Sequence, residues 1–155
     1  MAPVRILQIV HHSPPEFAGG TERYVVHLAA AMQAAGHEVL VACGSEETRP
    51  GGAAQPFLHD SIPGVRFHRA PEEAYGLVPF HPRLGAALLD LARKEGIQAV
   101  HLHHWFHLDL GLALKFRAAG VPVLLTLHDL FALCPRFFRR SEEHTSELQS
   151  RQVIS

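Results

Sequence analysis

The sequence has few cysteines and no excess of charge of either sign. Two cysteines, Cys43 and Cys134, occur in 155 residues, and the formal net charge is -1. Two distant cysteines argue against a disulfide scaffold and fit a reducing compartment, which favours the cytoplasm. A near-zero charge provides no broad basic surface, so we expect no nucleic-acid partner. Cys134 precedes a proline, and we interpret it as a structural turn residue rather than a nucleophile.

Long hydrophobic runs and lysine are also scarce. The apolar run near the N-terminus is too short for a membrane span or a signal h-region, and we interpret it as a buried strand. Lysine occurs only at Lys94 and Lys115, a composition typical of GC-rich bacterial genomes. The apolar fraction of 47% is ordinary for a globular protein, and the length is that of one domain.

Short apolar runs alternate with helical periodicity along the chain. The predicted strands cover residues 5–10, 38–42, 65–69, 99–102 and 121–127. The predicted helices cover the segment from Thr21 to Ala35, residues 82–95 and residues 110–119, and residues 44–55 are predicted to be a surface loop. This alternation predicts parallel βαβ units, and nearly continuous apolar strands predict a sheet covered on both faces. The fold class is therefore α/β, with a doubly wound, Rossmann-like parallel sheet.

The first helix carries its own local signals. Thr21 is predicted to be the N-cap, and Glu22 places a carboxylate in the first turn, where the helix dipole favours it. Tyr24 and Val25 belong to a set of apolar residues at helical spacing that we expect to face the core. Gly36 is predicted to end the helix in the left-handed conformation.

Three loops follow strand ends, where ligands bind in open parallel sheets. They are residues 11–20, 101–105 and 126–129. In the first, Gly19 and Gly20 precede a helix N-terminus, where backbone N–H groups can approach an anion without a Cβ in the way. A plain turn is the alternative interpretation. The spacing is neither a dinucleotide fingerprint nor a Walker loop.

The other two loops are rich in histidine. His101, His103 and His104 are compatible with a metal site, with packed histidines or with substrate contact. Zinc needs three or four converging ligands, whereas alternate strand residues face opposite sides of a sheet, so we predict no metal and no cofactor. His128 and Asp129 follow the most apolar strand, where an imidazole can donate to a sugar hydroxyl or a phosphate oxygen.

These segments, in this order, resemble the N-terminal domain of glycosyltransferase family 4. The resemblance is carried by Gly19-Gly20-Thr21-Glu22, Ala35-Gly36-His37-Glu38-Val39, Val100-His101-Leu102-His103, Thr126-Leu127-His128-Asp129 and Leu133-Cys134-Pro135-Arg136. It covers nearly all of residues 4–139 and implies the incomplete N-terminal half of a GT-B fold. We therefore expect residues 1–139 to form a partial family 4 domain.

The resemblance implies a retaining, hexosyltransferase-like enzyme without an essential metal. Such an enzyme transfers a sugar from a nucleotide-sugar donor, bound mainly by a C-terminal domain, to a hydroxyl acceptor. The resemblance also leaves room for peripheral contact with the inner membrane face. The implied site comprises Gly19 and Gly20 at the donor diphosphate, His128 as the catalytic residue, and His103, His104, Glu22 and Asp129 on the acceptor side.

The last segment, residues 140–155, does not follow the α/β pattern. Residues 140–150 match the translation of a common sequencing-library adapter, so we expect a non-native or disordered tail. We also expect the chain alone to be inactive, because the resemblance assigns most of the donor site to a C-terminal domain. We expect it to be marginally stable, because an incomplete sheet exposes an edge. Two alternatives stay open from the sequence: another Rossmann-like nucleotide-binding enzyme, and a stand-alone binding module.

Overall fold

The computed structural model describes residues 2–73, 81–104 and 108–128. Its elements are β1 (Arg5–Val10), α1 (Gly20–Ala34), β2 (Glu38–Thr48), β3 (Ala54–His59), β4 (Ile62–Arg69), α2 (Pro82–Lys94), β5 (Ala99–His104), α3 (Leu112–Ala118) and β6 (Val123–Leu125). The predictions for Asp129, Cys134 and residues 140–155 fall outside the described residues. Within those residues, no helix combines the length and the apolar character that crossing a bilayer would require.

The elements build one sheet of six strands in the order β3-β4-β2-β1-β5-β6. All neighbouring pairs are parallel except β3 and β4, which form an antiparallel pair at one edge. From β1 the chain builds one side of the sheet with β2, β3 and β4. It then returns to the other side of β1 and adds β5 and β6. The predicted Rossmann-like α/β class is confirmed, and the strand order reverses beside β1.

Helices cover both faces of this sheet, and each face has its own apolar core. The core under α2 and α3 includes Leu7, Ile9, Leu88, Leu102 and Phe116. The core under α1 includes Val10, Val25, Ala29, Val41 and Cys43. Because successive strand residues point to opposite faces, β1 contributes Leu7 and Ile9 to one core and Val10 to the other.

The prediction of a loop over residues 44–55 was wrong. β2 continues to Thr48, and β3 begins at Ala54 and pairs with β4. The hairpin turns at Asp60 and Ser61, whose φ values of 49° and 66° match the two-residue turn that suits the twist of antiparallel strands. Pro56 lies within β3, and an edge strand tolerates a proline that a central strand does not.

The predicted cap of the first helix was also wrong. The N-cap of α1 is Gly19, the helix begins at Gly20, and no side chain caps it. Glycine is acceptable at this position, and Glu22 lies in the first turn as predicted. Gly36 has a φ of +89° just after α1, so the predicted left-handed stop is confirmed.

Arg83 joins the first turn of α2 to the end of β4. Its guanidinium donates to both carboxylate oxygens of Glu73 at 2.7 and 2.6 Å, and to the carbonyl oxygens of Gly52 and His68 at 3.2 and 3.1 Å. These hydrogen bonds from Arg83 lower the pKa of Glu73 to about 2. One side chain therefore connects α2 to β4 and to the segments that precede β3 and follow β4.

We predict that Arg83→Met lowers the free energy of unfolding by about 1–2 kcal/mol at pH 7, because it removes charge-assisted hydrogen bonds at a partly buried site. Arg93→Met is the matched control, since the Arg93–Asp90 pair is mostly exposed and should contribute less than about 0.5 kcal/mol. Urea unfolding measures both. Glu73 has a lowered pKa, so the Arg83 effect should be present above pH 4.5 and fade towards pH 2. Equal losses for the two variants would contradict this account.

Candidate functional site

The loop after β1 is held in place by a partly buried ion pair. Arg66 on β4 lies 2.8 Å from Glu16 and also donates to the carbonyl oxygens of Ser13 and Pro14 at 3.0 and 3.1 Å. The other oxygen of Glu16 accepts from the Ser45 hydroxyl at 2.7 Å. Burial opposes the ionisation of Glu16, but these hydrogen bonds and the Arg66 charge lower its pKa overall. The loop is thus anchored to β2 and β4.

Gly44 lets β2 approach this loop closely. Its amide donates to the carbonyl oxygen of His11 at 3.0 Å. A Cβ at position 44 would lie 2.7 Å from that same backbone oxygen, closer than side-chain carbons come. Glycine at this position is therefore a requirement of the packing that positions His11.

Gly19 and Gly20 stand at the N-terminus of α1, as predicted, and differ in their surroundings. A Cβ at Gly19 would lie 2.6 Å from Oε2 of Glu22, whereas a Cβ at Gly20 would meet nothing within 4 Å. Neither glycine has a left-handed φ. The fold therefore has no steric need for glycine at position 20, and open space lies beside it.

Glu22 connects the start of α1 to the histidines of the first loop. Its side chain is 2% exposed, and its Oε1 lies 3.1 Å from Nε2 of His11. The His11 ring lies 4.5 Å from that of His104 at the end of β5. Glu22 and His104, both predicted for the acceptor side, therefore meet through His11, which the prediction did not include.

One group of potential metal ligands converges in the described part of the chain: His11, His12 and Glu22, with ligand atoms within 4.8 Å of one another. The ion-pair distance between His11 and Glu22 accounts for much of this grouping without a metal. Burial lowers the pKa of His12 despite nearby carboxylates. His101, His103 and His104, which the sequence analysis considered as possible metal ligands, do not form such a group.

A buried polar network occupies the α1 side of the sheet centre. His103 is 1% exposed, its Nε2 contacts Oε1 of Gln8 on β1, and its Nδ1 lies 3.3 Å from Nε2 of His128. The ring of His101 stacks on that of His103 at 3.9 Å and contacts the Thr126 hydroxyl at 2.8 Å. These side chains therefore join β1, β5 and the segment that follows β6.

Tyr24 was predicted to face the core, and that prediction was wrong. The side chain is 45% exposed, and its ring lies edge-on to those of His103 and His128 at 5.7 and 5.1 Å. Tyr24 lies one helical turn after Gly20. It therefore reaches the edge of the sheet where the parallel strands end, which we call the rim, rather than the interior. It links the N-terminus of α1 directly to His128.

Two histidines of this network, His101 and His103, are held neutral. Burial, with smaller contributions from His101 and His128, lowers the pKa of His103 to about 3. Burial and the neighbouring His128 also lower the pKa of His101. At neutral pH these two rings therefore act as hydrogen-bonding groups rather than as cations.

The structure brings most of the predicted site residues to one rim. His103 contacts His128, while His104 packs against His11, which pairs with Glu22 beside Gly19. The functional roles given to these residues stay predictions. Sequence reasoning missed Gln8, Tyr24 and His11. A polar residue inside an apolar strand was the available signal for Gln8, and the rule about strand ends already covered His11.

Many Rossmann-like proteins bind ligands at the carboxyl ends of their strands, beside the point where the strand order reverses. The fold alone therefore does not identify the family, and comparison with known proteins does. The model of Glycosyltransferase Family 4 matches residues 18–153. The chain belongs to glycosyltransferase family 4. The members of this family are GT-B glycosyltransferases, in agreement with the sheet described above.

Two curated relatives are similar to this family 4 chain. Both are named glycogen synthase and come from Mycobacterium tuberculosis, strains CDC 1551 / Oshkosh and ATCC 25618 / H37Rv. Each is 30% identical over an alignment of 144 residues, and the alignment covers 81% of this chain and 33% of the relative. The chain therefore spans about a third of the length of the curated relatives it matches.

We predict that acid weakens the fold through His103. Its pKa in the folded state, about 3, is below the ordinary histidine value of 6.5, so the unfolded chain binds more protons between these two values. The free energy of unfolding should fall as the pH drops from 6.5 towards 3, with His103 contributing at most about 1.4 kcal/mol per pH unit.

The measurement is urea unfolding at a series of pH values for wild type and His103→Gln. The variant removes one titrating group, so its stability should depend less steeply on pH in that window, with a residual slope from His12 and His101. His27→Gln on the exposed side of α1 is the control and should keep the wild-type slope. A His103→Gln profile parallel to wild type would show that His103 is not the acid-sensitive group.

Proposed function

We propose that the chain forms the acceptor-side domain of a retaining glycosyltransferase, which moves a sugar, most simply a hexose, from a nucleotide-sugar donor to a hydroxyl acceptor. The supporting observation is the contact between Tyr24 and His128, with ring centroids 5.1 Å apart. It brings the helix start at Gly19 and Gly20 to the same rim as His128, which follows β6. Backbone groups that can bind an anion and an imidazole that can contact a sugar would then line the same cleft.

The helix start supplies the group needed at the leaving diphosphate. Sugar transfer places negative charge on that diphosphate as the glycosidic bond to the donor breaks. The unpaired N–H groups at a helix N-terminus stabilise such charge, and they are oriented before the reaction begins. We assign this role to the backbone at Gly19 and Gly20, where the space beside Gly20 allows a phosphate to approach.

The histidines divide into one that meets substrate and others that support it. His128 is partly exposed, and we assign it the catalytic position beside the donor sugar. His103 is 1% exposed and both of its ring nitrogens are engaged, so within the acceptor side we assign it an indirect role. Glu22 and His104, both buried, would shape the acceptor side through His11, with Asp129 following His128 in the chain.

We propose that the nucleotide-sugar is bound mainly by a second domain and that these 155 residues do not catalyse sugar transfer on their own. The chain spans about a third of its glycogen synthase relatives, which supports this division. We propose a cytoplasmic location, which fits the free thiol of Cys43. Burial raises the pKa of that thiol to about 12, which keeps it protonated. We also propose peripheral contact at the inner membrane face, for which only the family resemblance leaves room.

The glycine assignment is tested with Gly20→Ala. The added methyl meets no atom of the protein within 4 Å, and alanine in place of a helical glycine should raise the stability of α1 by about 0.5–1 kcal/mol. If Gly20 admits the diphosphate, the same methyl should weaken pyrophosphate binding by about tenfold, since it removes a charge-assisted contact of about 1.5 kcal/mol. NMR titration measures binding, and urea unfolding measures stability.

Ala30→Ser, on the exposed side of α1, is the control and should bind pyrophosphate like wild type. A parallel titration with uridine, adenosine and guanosine diphosphate sugars should give affinities weaker than micromolar. Unchanged pyrophosphate binding by Gly20→Ala would remove Gly20 from the site. Micromolar affinity for a nucleotide-sugar would contradict the dependence on a second domain.

His128 is tested in a chimera that carries this chain in place of the aligned third of the mycobacterial glycogen synthase. We expect His128→Ala to lower kcat by about 10²–10³, the usual loss for one preorganised polar group at a reacting centre, with a smaller change in KM. His27→Ala is the control, because His27 lies on the exposed side of α1. Unchanged turnover in the His128 variant would exclude the catalytic assignment.

A further inference from the structure

Gln8 has an unusual place for a polar residue. It lies in the middle of β1 and is 0% exposed. Its amide nitrogen donates to Sδ of Met32 at 3.0 Å, and its amide oxygen contacts Nε2 of His103. A thioether sulfur accepts hydrogen bonds but cannot donate them. Met32 therefore favours the amide orientation in which the nitrogen faces the sulfur and the oxygen faces His103.

This orientation sets the direction of every hydrogen bond that follows. The Gln8 oxygen only accepts, so the proton of His103 is on Nε2. A neutral imidazole has one donor and one acceptor, which makes Nδ1 of His103 an acceptor. Nδ1 lies 3.3 Å from Nε2 of His128, so His128 donates from Nε2. In a neutral His128 ring the lone pair is then on Nδ1.

The direction requires His103 to be neutral, because an imidazolium donates from both nitrogens. Burial lowers the pKa of His103 to about 3, far below neutral pH. The neighbouring His101 does not compete for either nitrogen of His103, since its Nε2 contacts Thr126 and its ring stacks on that of His103. The series of hydrogen bonds that runs from Met32 through Gln8 and His103 to His128 thus has one consistent set of donors and acceptors.

We propose that Gln8 is a positioning residue that, through His103, holds His128 in the Nε2–H tautomer, with Nδ1 as an acceptor for a sugar hydroxyl. The inference rests on the proposed function for the identity of that hydroxyl, but the tautomer itself does not depend on it. A neutral His128 in this form suits a hydroxyl, which donates, and not a phosphate oxygen, which only accepts. Specificity for hydroxyl over phosphate would then originate on β1, far from the ligand.

The test is NMR of the 155-residue chain with ¹⁵N-labelled histidine at mildly alkaline pH. Long-range proton–nitrogen spectra show which ring nitrogen carries the proton. In wild type we expect the proton of both His103 and His128 on Nε2. In Gln8→Met, which removes the accepting oxygen, the preference of His128 for that tautomer should fall by about fivefold, the bias that one ordinary hydrogen bond sustains.

Matched variants separate this effect from a general loss of structure. Gln55→Met removes the equivalent amide contact, 3.3 Å from Nε2 of His68, and should change the His68 spectrum while leaving His128 as in wild type. Met32→Leu removes only the sulfur acceptor and should weaken the bias at His103, which keeps the inference testable if Gln8→Met does not fold.

Two results would overturn the inference: a wild-type His128 that carries its proton on Nδ1, or a folded Gln8→Met whose His128 spectrum is unchanged. Neither measurement involves a substrate. Failure of the tautomer result would therefore leave the His128→Ala kinetics to decide the catalytic role of His128 independently. Conversely, a confirmed tautomer with unchanged turnover in His128→Ala would exclude that catalytic role and keep the hydrogen-bond chain.

Discussion

β1 is paired in parallel along both of its edges, with β2 over Arg5–Val10 and with β5 over Ile6–Val10. This double pairing places the loop after β1 where the strand order reverses, between the two halves of the sheet. The carboxyl ends of β5 and β6 open at the same rim, because all of these strands run in one direction. The contact of His11 with His104 and that of Gln8 with His103 both depend on that register.

The same pairing places polar groups where an apolar core is expected. On the α1 face of β1 and β5, Gln8 and His103 are almost fully buried. Burying an unpaired polar group costs free energy, and two apolar residues of the same shape would avoid that cost. Gln8 and His103 avoid most of it by bonding to each other. A polar pair in place of a simpler apolar one is the mark of a site in which function outweighs stability.

The sequence predicted the alternation of strands and helices and the three loops of the rim, because these depend on local periodicity and on strand ends. β3 was missed, since Pro56 and the preceding Gly51 and Gly52 are typical of loops and only pairing with β4 makes a strand of the segment. Tyr24 has core-like helical spacing and is exposed only because α1 begins at the rim. The Gln8–His103 contact joins residues 95 apart, and no local pattern encodes such a register.

The balance of charge at the rim bears on the acceptor-side assignment. The positive end of the α1 dipole is already met by the carboxylate of Glu22, which is 2% exposed in the first turn. His101 and His103 are neutral because burial lowers their pKa values, and Arg66 is engaged by Glu16. These groups supply directed hydrogen bonds but little net positive charge, and a diphosphate needs both. On the proposed division of labour, most of the charge that holds the donor would come from a second domain, while this rim orients hydroxyl groups.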